Sequence, residues 1–228
     1  MQHQKEFCRF AEVYGRYNLV QERVAQALAK RVEGGCRRIV DIGCGSGTFY
    51  RAYEHPFISY LAVDISEEML ALHPQRAGVE KMVGDFDDPA LFKRLSKRDF
   101  DLLVSSSALQ WSKDLDLTIG RIASLKKSTA LAIFTSGTFA SLHRVAGTKS
   151  PIRSSEETAG ILKKHLDAKI DILKYKLYFK DTLSMLRYIK RSGVSGGERR
   201  LTYLQIKRVL ENYRLPYLEF EVVVAIGK

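Results

Sequence analysis

The segment that most constrains the fold is a glycine-rich turn that follows a short apolar run directly. The apolar run is Arg38-Ile39-Val40-Asp41-Ile42, and the turn is Gly43-Cys44-Gly45-Ser46-Gly47. The run predicts a buried strand, and the glycines allow a tight turn in which a ligand can approach bare backbone. Since a helix is expected after the turn, the segment predicts an α/β fold with a ligand at the end of a strand.

Short apolar runs alternate with helical patterns along the first half of the chain, which indicates βαβ units and a parallel sheet. Further strands are predicted at 58–63, 81–83, 100–105, 129–135, 169–179 and 217–226. Helices are predicted at about 6–31, 67–72, 138–145, 156–166, 183–190 and 203–213, and a glycine-rich loop at 192–197. The order predicts a Rossmann-like, seven-stranded, mostly parallel sheet with an antiparallel last strand. The N-terminal and inserted helices are expected to form a lid.

Composition sets broad limits on the class of protein. Hydrophobic residues make up 45% of the 228 residues, which is enough for a sizeable core. The polar N-terminus is unlike a secretory signal, and no apolar run approaches the length of a membrane span. Three cysteines, Cys8, Cys36 and Cys44, lack the spacing of metal ligands. We therefore expect a cytoplasmic protein without a structural metal.

The net charge of +11 is confined to the second half of the chain. Residues 1–120 contain 16 basic and 17 acidic residues, whereas residues 121–228 contain 21 and 9. A one-sided basic field attracts acidic partners such as an acidic protein, nucleic acid or an anionic membrane. A well-solvated surface without a partner explains the same charge equally well.

The glycine spacing and the acidic residue before the turn indicate which cofactor is bound. The turn has the form Gly-x-Gly-x-Gly, whereas the dinucleotide pattern is Gly-x-Gly-x-x-Gly; Thr48 and Phe49 follow Gly47. Asp41 would repel a pyrophosphate but could pair with a cationic group. The pattern therefore disfavours a nicotinamide dehydrogenase.

Two further acidic residues follow predicted strands. Asp64 ends the second strand, 17 residues after Gly47, where a carboxylate can accept both hydroxyls of a ribose. Gly84-Asp85-Phe86 follows the third strand, where Asp85 could accept from an adenine amino group and Phe86 could cover the ring. Each feature alone fits a helix cap or a turn residue. Together and in this order, they make the chain resemble class I S-adenosylmethionine-dependent methyltransferases over about residues 36–136.

Three more stretches are similar to one family, the malonyl-[acyl-carrier protein] O-methyltransferases of biotin synthesis. Phe7, Tyr14 and Gln21 are spaced as Phe-x6-Tyr-x6-Gln, and 105–111 is similar to the Ser-Asn-x-Ala-x-Gln-Trp that follows strand four. The segment 184–193 is similar to Met-Arg-x-Leu-Lys-x-x-Gly. Family members usually have Pro-Gly-Gly before strand five, where this chain has Lys127-Ser128-Thr129.

The resemblance implies one methyltransferase domain over 1–228. It would comprise an N-terminal helical cap (1–35), a cofactor-binding core (36–136), lid helices with the sixth strand (137–216) and a closing strand (217–228). The cofactor would be S-adenosyl-L-methionine, released as S-adenosyl-L-homocysteine. Its expected ligands are Asp41, Gly43, Cys44, Gly45, Gly47, Asp64, Ile65, Asp85, Phe86 and Ser105.

The substrate implied by the resemblance is a malonyl group on an acidic acyl-carrier protein. We expect Tyr14, His143 and Arg187 at the catalytic site, with Arg187 binding the substrate carboxylate through its planar fork. Each has an alternative: Tyr14 as part of an apolar stripe, His143 as a packed residue, and Arg187 on a solvated helix face. Cys44 is expected to pack in the turn without acting as a nucleophile. A monomer is favoured.

Other functions remain open at this point. The chain could methylate a free small carboxylic acid or another small molecule with the same cofactor. An RNA methyltransferase is disfavoured, because Ser105-Ser106-Ser107-Ala108 stands where nucleic-acid amino-methylating enzymes often have Asn/Asp-Pro-Pro-Tyr/Phe. A cofactor-binding partner without activity is disfavoured by the intact turn and its three aspartates. We expect no interaction with a membrane.

Overall fold

The computed structural model describes residues 18–32, 35–192 and 201–227. The strands are β1 Arg38–Ile42, β2 Ser59–Asp64, β3 Val79–Val83, β4 Leu102–Ser106, β5 Ser128–Phe134, β6 Ala168–Tyr178 and β7 Tyr217–Gly227. The α-helices of these residues are α1 Leu19–Ala29, α2 Thr48–Ala52, α3 Glu67–Leu72, α4 Pro89–Leu95, α5 Leu115–Ser124, α6 Ala140–Ala146, α7 Ser155–His165, α8 Thr182–Ser192 and α9 Tyr203–Asn212. A 3-10 turn covers Leu109–Trp111.

The strands form one seven-stranded sheet in the order β3-β2-β1-β4-β5-β7-β6. Strand β7 pairs antiparallel with both β5 and β6, and the other neighbours are parallel. The predicted fold class is therefore confirmed. The strand order reverses between β1 and β4, so the crevice at their carboxyl ends is where a doubly wound sheet binds its ligand.

Helices cover both faces of the sheet because consecutive apolar residues of each strand point to opposite sides. In β1, Ile39 packs into one hydrophobic cluster, whereas Val40 and Ile42 pack into the other. The first cluster includes Val24 and Leu28 of α1 and residues of α2, α3, α6, α8 and α9, and the second includes residues of α4, α5 and α7. Near-continuous apolar strands are typical of a parallel sheet that is buried on both faces.

Strand β6 lies at one edge of the sheet and is only partly covered. Its lysines Lys169, Lys174 and Lys176 have exposed side chains. Charged residues on an edge strand make pairing with another chain unfavourable. Among the described residues, no helix is both long enough and apolar enough to cross a membrane.

Most predicted elements are present with shifts of one or two residues at their ends. The third strand is longer than predicted, since Val79 and Glu80 also pair with β2. The fourth strand extends to Ser106, one residue beyond its predicted end. Helix α1 ends at Ala29, before the predicted Arg31. Residues 6–17 of the predicted N-terminal helix, and 193–197 of the predicted loop, lie outside the described residues.

The glycine turn generates a first prediction. Gly47 has φ +87°, and a Cβ there would lie 2.8 Å from His73 Cδ2 and from Pro74 Cδ. Gly47→Ala should lower the free energy of unfolding by about 1–3 kcal/mol, through backbone strain and overpacking. Denaturation in urea measures this change.

Gly160 provides the matched control, because it is exposed in α7 and a Cβ there would meet no atom within 4 Å. Gly160→Ala should raise stability by about 0.5–1 kcal/mol, the usual helix preference for alanine. Equal effects of the two substitutions would contradict the positional argument.

Candidate active site

A cleft of about 440 Å³ opens at the carboxyl ends of β1, β2, β3 and β4. Its volume is in the range of small-molecule and cofactor sites. The lining residues come from the end of β1 and the glycine turn, from the loops after β2, β3 and β4, and from the helices α1, α2 and α3. They are Asn18, Gln21, Asp41, Gly43, Cys44, Gly45, Ser46, Thr48, Phe49, Asp64, Ile65, Met69, Gly84, Asp85, Phe86, Asp87, Ser106, Ser107, Ala108, Trp111 and Lys113.

The glycine turn is held against the end of the neighbouring strand. The N–H groups of Gly43 and Cys44 both donate to the carbonyl of Val63, at 2.8 and 3.0 Å. Gly43 has φ +70°, and a Cβ on it would overlap the Cβ of Ala108. A side chain at this position is therefore excluded by the loop after β4, and the turn stays narrow.

Asp41 is a buried carboxylate that lacks a cation among the described residues. Its Oδ2 accepts a hydrogen bond of 2.6 Å from the hydroxyl of Tyr60, and its Oδ1 is buried with no hydrogen-bond partner. Burial raises the pKa of Asp41 to about 7, and the charge of Asp64 adds to the effect. A buried carboxylate in this state favours a cationic ligand group over an anionic one.

Asp64 joins the second strand to the glycine turn. Its Oδ2 accepts from the N–H of Gly45 at 2.8 Å, and its Oδ1 accepts from the N–H of Ser66 at 2.9 Å. Burial raises the pKa of Asp64, and these backbone hydrogen bonds oppose the rise. Since each carboxylate oxygen has two lone pairs, both oxygens can also accept from a pair of ligand hydroxyls.

Asp85 and Phe86 form the wall of the cleft after β3. Asp85 Oδ1 accepts from the N–H of Asp87 at 2.8 Å, and Phe86 Cε1 would lie 3.8 Å from a Cβ at Gly43. The aromatic ring therefore faces the glycine turn across the narrow side of the cleft. This arrangement offers a flat apolar surface next to a carboxylate, as a purine with an amino group requires.

Lys113 brings a positive charge to the lining of the cleft. The carbonyls of Ser112 and Lys113 accept from the Arg153 guanidinium, both at 3.2 Å, which fixes the backbone of this loop. The Lys113 ammonium lies 3.9 Å from Asp87 Oδ2, and its side chain is 79% exposed. At this distance and exposure the ion pair is weak, so the ammonium can turn toward a ligand anion.

The structure brings together eight of the ten residues predicted to bind the cofactor: Asp41, Gly43, Cys44, Gly45, Asp64, Ile65, Asp85 and Phe86. Gly47 does not line the cleft and instead begins α2 in a left-handed conformation. Ser105 is fully buried, and its hydroxyl donates to the carbonyl of Ile42 at 2.8 Å. Ser105 therefore joins β4 to β1, and the adjacent Ser106 lines the cleft.

The residues predicted for catalysis are not gathered at the described cleft. His143 in α6 is half-buried, its Nδ1 is 2.8 Å from Thr148 Oγ1, and burial lowers its pKa. Arg187 is exposed on α8. Neither lines the part of the cleft that the structure describes. Tyr14 lies outside the described residues, and all three assignments remain predictions.

Sequence reasoning did not assign several residues of the lining, among them Asn18, Asp87 and Lys113. Gln21 belongs to the Phe-x6-Tyr-x6-Gln spacing, which does not indicate a role at the cleft. Asn18 Oδ1 and Gln21 Oε1 are buried without a hydrogen-bond partner among the described residues. Asp87 and Lys113 follow β3 and β4, so the rule that ligands bind beyond the carboxyl ends of strands was the available signal.

Comparison with known proteins agrees with this geometry. The family model for the methyltransferase domain matches residues 40–131, which include the glycine turn, Asp64 and Asp85. The chain is similar to a solved S-adenosylmethionine-dependent methyltransferase of Thermotoga maritima. The match covers 99% of this chain and 100% of that protein, at 17% identity and a TM-score of 0.59. The match to the YcgJ protein of Bacillus subtilis covers 90% of this chain and 98% of YcgJ, at 15% identity and a TM-score of 0.61. Residues 40–131 are therefore a methyltransferase domain, and the protein is an S-adenosylmethionine-dependent methyltransferase.

The more specific resemblance is also confirmed. The malonyl-[acyl-carrier protein] O-methyltransferase of Chlorobium luteolum is 29% identical over 94% of the chain and 88% of that relative. The protein of the same name from Calditerrivibrio nitroreducens is 26% identical over 97% of the chain and 95% of that relative. The match to the one from Anoxybacillus flavithermus is 29% identical and spans only 55% of that protein.

The geometry of Asp64 generates a prediction on cofactor affinity. Asp64→Ala removes the carboxylate that accepts from the Gly45 and Ser66 N–H groups and that would accept from two ligand hydroxyls. It should weaken S-adenosylhomocysteine binding by about 1.5–3 kcal/mol, as for hydrogen bonds to a charged group. Isothermal titration calorimetry measures the change.

Asp88→Ala serves as the control, since Asp88 caps α4 by accepting from the Ala90 N–H and does not line the cleft. It should leave the affinity unchanged. An Asp64→Ala protein that binds as tightly as the control would overturn the assignment of this pocket.

Proposed function

We propose that this enzyme transfers a methyl group from S-adenosylmethionine to the free carboxylate of a malonyl group on an acyl-carrier protein. The product would be the methyl ester. The observation that supports this substrate most is the similarity to relatives of that name over nearly the whole chain. The cation in the cleft lining and the basic second half of the chain are compatible with it.

The cofactor would be held by groups from three strand ends. Asp41, with its unpartnered Oδ1, would receive the ammonium group. Asp64 would accept hydrogen bonds from the ribose hydroxyls, and Asp85 would accept one from the adenine amino group. Phe86 and Ile65 would pack against the adenine ring. Gly43, Cys44 and Gly45 would let the cofactor lie close to the backbone, whereas Gly47 and Ser105 would keep the turn and the strand ends in place.

The reaction requires little acid–base chemistry from the protein. S-adenosylmethionine supplies a methyl carbon that its sulfonium makes electrophilic. A carboxylate is ionised at pH 7 and is itself the nucleophile, so no general base is needed. The enzyme has to align the carboxylate oxygen with the methyl carbon and to exclude water, so catalysis rests on proximity and orientation.

Within the described cleft, Lys113 is the better candidate to bind the substrate carboxylate. It lines the cleft after β4, whereas Arg187 does not. A carboxylate that leaves water for the cleft needs a paired cation, because desolvation otherwise excludes it. The lid role of 137–216 and the contributions of Tyr14 and His143 remain part of the proposal.

The acidic carrier protein would be attracted by the second half of the chain. Lys163, Lys164, Lys169, Lys174, Lys176, Lys180, Lys190, Lys207, Arg208 and Arg214 are all exposed there. Opposite charge on two partners raises the rate of encounter and acts over about 10 Å at 0.1 M salt. This property fits an acidic macromolecule better than a free small acid, which gains less from an extended field.

The substrate is tested by methyl transfer from labelled S-adenosylmethionine to malonyl-acyl-carrier protein, free malonate and bulk RNA. We expect kcat/KM for the carrier-bound group to exceed that for malonate at least about a hundredfold, because contacts remote from the reacting carboxylate contribute to the transition state. RNA should not be labelled. Preferred methylation of malonate would favour the free-acid alternative, and labelling of RNA would contradict the proposal.

The role of Lys113 is tested with Lys113→Ala and Lys113→Arg. The alanine variant should lose about twofold to fivefold in kcat/KM, a modest effect because the side chain is exposed and solvent screens its charge. The arginine variant should recover most of the activity. S-adenosylhomocysteine affinity should stay within about twofold in both, since the cation serves the substrate.

Arg187→Ala is the matched control, because it removes an exposed cation from the same protein. It should keep near-normal turnover. If Arg187→Ala loses activity and Lys113→Ala does not, the substrate carboxylate is bound by Arg187, as the sequence resemblance implied.

A further inference from the structure

Within the described part of the chain, the Asp41 carboxylate accepts one hydrogen bond, from the hydroxyl of Tyr60. Both residues are buried, and their side chains point to the same face of the sheet because Tyr60 pairs with Ile39, two positions before Asp41. The O–H···O distance is 2.6 Å, which lies in the range of charge-assisted hydrogen bonds from a hydroxyl to a carboxylate. Asp41 lines the cleft, and its other oxygen, Oδ1, has no hydrogen-bond partner among the described residues.

An aromatic cluster fixes the ring of Tyr60. Its centroid lies 5.1 Å from that of Tyr50, 5.5 Å from that of Phe57 and 5.9 Å from that of His73. These neighbours leave the ring little freedom to rotate away from Asp41. The hydroxyl is therefore held at a fixed point, and through it the orientation of the carboxylate is fixed.

The charges around Asp41 give it little other support. Asp64 at the end of β2 is acidic, and Cys44 in the turn has a pKa raised by burial, so it is a neutral thiol at pH 7. Burial lowers the pKa of His73, which is therefore neutral, and the Lys81 ammonium donates to the His73 carbonyl at 2.6 Å. No cation pairs with Asp41 among the described residues.

We propose that Tyr60 is a positioning residue that keeps Asp41 ionised and oriented to receive the ammonium group of the cofactor. This inference rests on the proposed role of Asp41 in binding S-adenosylmethionine. A donated hydrogen bond stabilises the carboxylate more than the carboxylic acid and so opposes the effect of burial. Without the hydroxyl, Asp41 would take up a proton at neutral pH, and cofactor binding would have to displace it.

The test is the affinity for S-adenosylhomocysteine, measured by calorimetry between pH 6 and pH 8.5 in the full-length enzyme. Tyr60→Phe removes only the hydroxyl. We expect the ratio of dissociation constants, variant over wild type, to be at least about tenfold at pH 6.5. It should fall to about twofold to threefold at pH 8.5, because Asp41 loses its proton there in both proteins. Ionisation of the ligand cancels in this ratio.

Proton release is an independent readout of the same linkage. Binding at pH 7.5 in buffers of different ionisation enthalpy gives the number of protons released per ligand. With a pKa of about 7 for Asp41, the wild type should release about a quarter of a proton. The Tyr60→Phe protein should release close to one, since its Asp41 would be mostly protonated before binding.

Tyr53→Phe is the matched control, because it removes the hydroxyl of another buried tyrosine. This hydroxyl donates a hydrogen bond of 2.8 Å to the Cys36 carbonyl, and Tyr53 does not line the cleft. It should leave affinity, pH profile and proton release unchanged. A loss of affinity in Tyr60→Phe that is equal at every pH would indicate a purely structural role and overturn the inference. An unchanged profile, or the same change in Tyr53→Phe, would also overturn it.

Asp41→Asn separates this inference from the assignment of Asp41 itself. If Asp41→Asn binds S-adenosylhomocysteine as tightly as wild type, Asp41 does not receive the ammonium group, and that assignment fails. If Asp41→Asn binds weakly but Tyr60→Phe is normal, only the role of Tyr60 fails. In the Asp41→Asn background, Tyr60→Phe should have no further pH-dependent effect, since no titrating group remains for the hydroxyl to act on.

Discussion

The hydrogen bond from the Gly45 N–H to the Asp64 carboxylate ties the ends of two neighbouring strands to each other. The parallel register of β1 and β2 brings the glycine turn beside the end of β2, and the Val63 carbonyl holds the start of the same turn. Every other feature of the cleft depends on this fixed edge. Asp85 and Phe86 extend it on one side through β3, and Ser106 to Lys113 close it on the other side through β4.

Much of this edge was predictable from the sequence because it is local. The glycine turn, Asp64 and Asp85 each stand directly after an apolar strand, and parallel strands bring such positions to one edge of a sheet. The seven strands and their mostly parallel arrangement followed from the alternation of strands and helices, with boundaries shifted by one or two residues. The assignment of Ser105 rather than Ser106 shows the limit: the strand continues one residue further than predicted, and adjacent residues face opposite sides.

Residues whose position depends on distant contacts were not predictable in the same way. Lys113 lies on a loop that Arg153 holds from 40 positions further along the chain. No local pattern encodes that contact. Arg187 stands on a strongly amphipathic helix, and its sequence indicates a charged face but not the direction in which that face points. The partner of Asp41 was missed for a similar reason, since Tyr60 reads as one more apolar residue of β2 and only the sheet register brings its hydroxyl to the carboxylate.

The buried carboxylate of Asp41 also has a consequence for the folding equilibrium. Burial raises the pKa of Asp41 from 3.8 to about 7. At a pH between these two values, Asp41 keeps its proton in the folded chain but has lost it in the unfolded chain. Through this group, the ligand-free protein becomes less stable as the pH rises from about 4 to about 7, which is opposite to the usual behaviour of a salt-bridged aspartate. A cationic cofactor bound at Asp41, as proposed, would offset that cost, so near neutral pH the methyl donor would also stabilise the native state.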